Sequence, residues 1–180
     1  RRNKILSCCN EAQKVKAAEV VEAIPVTDAR FPAHLTLVRL EYLDRDTETY
    51  VMPLGYASGE RADAIMREHP LSTVARLQLQ SKGETGILYD ALIEKEFCSA
   101  LLDLIARHHR RRGRHGELFA GATTKFRRPR KSEPPLEPAI LGAEQSNTSV
   151  IYGDRYILKV FRRPDVGVNP DLEIGRFLTN

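Results

Sequence analysis

A chain of 180 residues is long enough for one ordinary domain or two small ones with modest cores. Its 42% hydrophobic and 29% charged content excludes a disordered tail, and no apolar run approaches the roughly 20 residues that span a bilayer. The formal net charge of +4 is unevenly placed: residues 101–132 hold ten Lys or Arg against two acids, and the rest holds 18 against 22, so the basicity needs a local explanation.

The chain opens on Arg1 rather than Met and has no signal-peptide pattern, which marks it as an expected piece of a longer polypeptide. Cys8, Cys9 and Cys98 fit neither a disulfide framework nor a zinc site, so a reducing, cytoplasmic setting is the simplest expectation. Val15 to Val26 and Leu35 to Tyr42 read as strands, the second alternating through Leu35, Leu37, Arg39 and Glu41. Glu48 to Tyr56 is a third strand, joined to the second through the turn residues Asp44, Arg45 and Asp46. A short helix over Arg61 to Glu68 should end at Pro70, and Thr73 to Gln80 pairs with Thr85 to Tyr89 around Ser81-Lys82-Gly83. Tyr50, Tyr56, Tyr89 and Phe97 are expected in the core of this sheet and its helix.

From Ala91 to about His109, Ile93, Phe97, Ala100, Leu101, Leu104 and Ile105 recur at helical spacing, with Asp90 placed to cap and Gly113 to stop. Such a helix packs across an antiparallel sheet, giving an α+β layer. Lys125 to Pro138, with its four prolines and no apolar period, divides the chain into units at 1–124 and 139–180 joined by a linker at 125–138.

Beyond that boundary, Gly153-Asp154 reads as a two-residue hairpin turn. Direct pairing then sets Tyr152 opposite Arg155, Val150 opposite Ile157 and Thr148 opposite Lys159, so these last four share a face. The ammonium of Lys159 would stand beside the polar turn 145–149, next to two branched aliphatics. That suits a nucleotide: Val150 and Ile157 offer adenine an apolar ceiling, and hydroxylated residues plus one cation offer the phosphates donors. Asn169 and Pro170 open a helix whose Glu173 is the expected carboxylate partner of Lys159, Asp171 serving the helix dipole instead.

The stretches LGAEQSNTSVIYGDRYILKVFRR and NPDLEIGRFLT closely resemble the nucleotide-binding lobe of bacterial maltokinases, which occur alone or fused behind a trehalose synthase. Upstream, GILYDAL, EFCSALLDLIAR and RGRHGEL resemble that family's N-terminal cap domain, the resemblance covering about Glu48 to Asn180. It implies a protein-kinase-like (aminoglycoside-phosphotransferase-like) N-lobe, and ATP-dependent phosphorylation of maltose to maltose 1-phosphate. It makes Ser146, Asn147, Thr148 and Ser149 the phosphate-binding loop, Lys159 the lysine on the α and β phosphates, and Glu173 its helix partner. The family's base-bearing loop and Mg2+-binding Asp are not in this chain. His115-Gly116-Glu117 only superficially matches the catalytic His-Gly-Asp, so the 180 residues by themselves are expected to be inactive.

Arg107 to His115 is the rival signal. A polybasic run can bind nucleic acid, but as the solvated end of a helix without interleaved aromatics it is expected only to complement the helix dipole. A third reading makes the first unit a protein-interaction surface for the fused synthase. The histidines show no metal spacing.

Overall fold

The computed structural model describes residues 14–27, 32–79, 84–122, 126–127, 134–143, 147–164 and 167–179. Cys8, Cys9, the turn at 81–83, Gln145 and Ser146 lie outside these residues. The fold is mixed α+β and mostly antiparallel. β1 (Val15–Pro25), β2 (Ala33–Tyr42) and β3 (Glu48–Ser58) form a meander, and β4 (Thr73–Leu79) pairs with β5 (Glu84–Asp90) in a five-stranded sheet of order β1-β2-β3-β5-β4. Alternation sets the inner face. Val38, Leu40 and Tyr42 of β2 cluster with Tyr50, Met52 and Leu54 of β3. Val15 from β1, Val74 from β4 and Leu88 from β5 pack on the same cluster, so the sheet curls around it.

Helix α1 (Gly59–Glu68) follows β3 directly and buries Ala62 and Ile65 against Ala57, Ile87 and Tyr89. Of the four aromatics expected inside, Tyr50, Tyr89 and Phe97 are buried and Tyr56 is half-buried. Among the described residues no helix is long and apolar enough to cross a membrane.

The helix expected from Ala91 to His109 is shorter at both ends. Asp90 caps, accepting from the Leu92 amide at 3.0 Å, but it caps a single 3-10 turn, Ala91–Ile93. Glu94 is extended, and only then does α2 (Lys95–Ala106) begin. Its exit lies well before Gly113. The amides of His108 and His109 donate to Ile105 (3.2 Å) and Leu104 (3.0 Å), the crossed pair of a Schellman cap, with His108 left-handed at φ 52°. The arginines beyond are therefore not a helix end. Arg110–Arg112 is a strand, β6, paired antiparallel with β7 (Glu117–Phe119).

After Glu137, β8 (Pro138–Ala143), β9 (Asn147–Tyr152) and β10 (Tyr156–Phe161) form a second antiparallel sheet of order β10-β9-β8, followed by α3 (Pro170–Thr179). Val150 and Tyr152 of β9 are fully buried in one cluster with Phe97, Cys98, Leu101 and Leu104 of α2. Helix α2 thus serves both sheets, and the Tyr152 hydroxyl donates to the Cys98 carbonyl at 2.7 Å inside that shared core. Burial pushes the Cys98 thiol up to about 12, aided by the nearby Asp90 charge, so it is a packing residue and no nucleophile.

Candidate functional site

The hairpin that carries Lys159 is one residue out of the expected register. The loop takes three residues, Gly153 to Arg155, because Gly153 adopts a left-handed φ of 56° and the Arg155 amide closes back on the Tyr152 carbonyl at 3.2 Å. Tyr156 therefore faces Tyr152, Leu158 faces Val150 and Lys159 faces Ser149. A slip of one residue exchanges the faces of one strand relative to the other. Val150, expected beside Lys159, turns instead into the core with Leu158, and it offers no ceiling to a ligand on the Lys159 side. Ile157 does stay on the Lys159 face, two residues along the same strand and 64% exposed.

The loop residues are drawn inward too. Asn147, Thr148 and Ser149 belong to β9 and are all buried. The Asn147 Oδ1 is enclosed without a hydrogen-bond donor. The Thr148 hydroxyl accepts from Arg162 Nε (3.1 Å) and Nη2 (2.9 Å). Ser149 stands opposite Lys159, the nearest of the hydroxylated residues to it in register.

The Lys159 ammonium meets a helix carboxylate, but not the expected one. Helix α3 starts as its sequence dictates: the Asn169 side chain accepts from the Asp171 amide at 2.9 Å, and Pro170 sits where no amide is needed. This fixes Asp171 in the first turn, where its Oδ2 lies 3.3 Å from Lys159 Nζ. Glu173, two residues on, is exposed. The pair is open to solvent, 50% and 56% exposed, so it positions the ammonium only weakly. On another side Lys159 borders a cavity of about 660 Å³, walled by Leu101 and Leu104 of α2, Phe119 of β7, and Leu158 and Val160 of β10.

Two side chains with structural authority over this region escape the sequence reading. Arg162, just past β10, donates to Asp90 Oδ2 at 2.6 Å as well as to Thr148, with both ends of the ion pair under one-fifth exposed. Its carbonyl also accepts from the Val51 amide at 2.7 Å, and Arg163 reaches Glu48 at 3.0 Å. The end of β10 is thereby stapled to β3 and β5. The second is Glu22. A bulge after Val20 aims its carboxylate into the β6–β7 turn, where it accepts from the amides of Ala23 (2.8 Å), Arg114 (2.6 Å), His115 (2.9 Å) and Gly116 (2.5 Å). Burial would raise its pKa, but the amides of His115, Ala23, Arg114 and Gly116 outweigh that and hold it at about 2. His115-Gly116 is thus part of a turn clamped by an acid. A carboxylate set among Val20, Val21, Ala23 and Ile24 was a visible signal of the same kind as a lysine in an apolar strand.

No protein-family model matches the chain. Among the described residues no three His, Cys, Asp or Glu side chains come together in a group that could hold a metal ion.

Proposed function

We propose that this chain is the N-terminal cap and the opening of the nucleotide lobe of an ATP-dependent, cytoplasmic maltokinase, acting alone or joined to a trehalose synthase. The observation that supports it is the strand lysine held by a first-turn helix acid: Lys159 on β10, opposite Ser149, with Asp171 at 3.3 Å. In this reading the ammonium exchanges Asp171 for the α and β phosphates of ATP, an exchange made easy by the solvent around the pair. Ile157, on the same face, supplies apolar contact for the base in place of Val150. Glu173 has no part in the grip. The exposed apolar residues of α3, Leu172, Ile174 and Phe177, fit a surface that the rest of a kinase covers.

The chemistry asked of these residues is binding and orientation. A base for the sugar hydroxyl and the Mg2+ that neutralises the transferring phosphoryl group would come from the remainder of the enzyme. The test is release of ADP from ATP by the longer protein containing this chain, with maltose and with glucose as acceptors. Maltose-dependent ADP formation that falls roughly 10²–10³-fold in Lys159→Met is expected. Absence of any sugar-dependent ADP release overturns the reading.

A further inference from the structure

The β6–β7 ribbon is a surface the kinase reading leaves unused. Between Arg107 and Phe119 stand five arginines and three histidines against one acid, Glu117. Pairing sorts them by face. Arg111 lies opposite Leu118, and Leu118 packs into the shared core. Arg110 lies opposite Phe119, and Arg112 opposite Glu117, all four on the outer face and exposed. Arg110 Nη1 pairs with Glu117 Oε1 at 3.1 Å, an exposed pair that a phosphate can displace. Phe119 is 61% exposed, and the Arg110 guanidinium lies 5.2 Å from its ring centre. Arg114, at the turn, is exposed beside them.

The ribbon is held in shape before any partner arrives. Glu22 clamps the turn through the amides of Arg114, His115 and Gly116; the Gly113 amide closes on the Gly116 carbonyl at 2.9 Å; the Ala120 amide bonds the His109 carbonyl at 3.1 Å. Gly113 is required there, because a Cβ would collide with the Glu22 carboxylate and come within 2.7 Å of Ile24 Cγ1. Ordering cost is therefore small for the backbone that presents the cations.

We infer that this outer face is a docking surface for single-stranded nucleic acid. Two arginines one strand repeat apart, about 7 Å, with a third at the turn, match a linear polyanion. An acidic peptide would use the same cations but has no use for an exposed ring. An unpaired base does, since it stacks on aromatic and guanidinium planes alike. The aromatic component was not visible while these arginines read as a helix end, because only the β6–β7 pairing brings Phe119 to them. Phe119 also walls the cavity that Lys159 borders, so the test must separate this surface from ATP binding at Lys159.

The experiment is fluorescence anisotropy of the 180-residue chain against a labelled 12-nucleotide oligo(dT), titrated across salt, with a poly-glutamate peptide of equal charge in parallel. Binding whose logarithm falls linearly with log salt is expected. The double variant Arg110→Gln/Arg112→Gln should lower that slope by about 1.4, two phosphate contacts' worth. Phe119→Leu should weaken binding roughly 10-fold without changing the slope. Lys159→Met should leave it unchanged, separating this surface from the nucleotide site. Equal affinity for poly-glutamate, full binding by the double variant, or no binding at low salt each overturns the inference.

Discussion

Replacing Arg162 with Leu removes a side chain that ties β9 to β5. Arg162 spans Asp90 at 2.6 Å and Thr148 at 2.9 and 3.1 Å, and the ion-paired side chains are only 15% and 17% exposed. Breaking a fully buried pair from one side costs roughly 3–5 kcal/mol, most of it the charge left behind. Here Asp90 keeps the Leu92 amide and some water, which brings the expected loss to about 2–3 kcal/mol. With a urea m-value of about 2 kcal/mol/M, the midpoint falls by about 1–1.5 M at unchanged slope. Asp90→Asn preserves the acceptor for Leu92 and should cost about 1–2 kcal/mol, less in the Arg162→Leu background, giving a coupling of about 1–2 kcal/mol in the double-mutant cycle. The two sheets share the core around Val150 and Tyr152, so wild-type unfolding should be one transition by circular dichroism and tyrosine fluorescence alike. A coupling below about 0.3 kcal/mol, or separate transitions for the two sheets, would refute the reasoning.

Glu22 makes stability depend on acid. Its folded pKa of about 2 lies below its ordinary value of 4.5, so the stabilisation is present above 4.5 and is lost as pH falls from there toward 2. The stability gap between wild type and Glu22→Gln, measured by urea titration at successive pH values, should be widest near neutrality and close across that window. His108→Gly relieves a left-handed residue at the α2 cap and should stabilise by roughly 0.5–1 kcal/mol in thermal melts. Tyr152→Phe deletes the buried bond to the Cys98 carbonyl and should cost about 1 kcal/mol, lowering Tm by roughly 2–4 °C.

Local pattern carried the first sheet. Alternation in β2 is a period-two signal that one buried face enforces, although the buried residues are Thr36, Val38, Leu40 and Tyr42. The series Leu35, Leu37, Arg39 and Glu41 lies on the other face. The turn residues Asp44, Arg45 and Asp46 marked where β2 gives way to β3. The cap of α3 was equally legible, because Asn169 and Pro170 act within one turn. Failures came where one residue decides the geometry at a distance. A left-handed Gly153 added a residue to the loop and turned Val150 inward; a left-handed histidine ended α2 early and freed the arginines to become a strand. Asp171 and Glu173 both stand in the first turn of α3, but it is Asp171 whose carboxylate lies 3.3 Å from Lys159, while Glu173 is exposed. Arg162 was hidden for another reason: its partners lie 14 and 72 positions away in sequence, a separation no local pattern records.

The central claim is that the Lys159 ammonium grips the phosphates of ATP, and calorimetric titration of MgATP into the longer protein containing this chain tests it most directly. Lys159→Met should weaken affinity roughly 10- to 100-fold at an unchanged melting temperature, while Glu173→Gln leaves it at the wild-type value. Equal affinity in Lys159→Met and wild type would contradict the account.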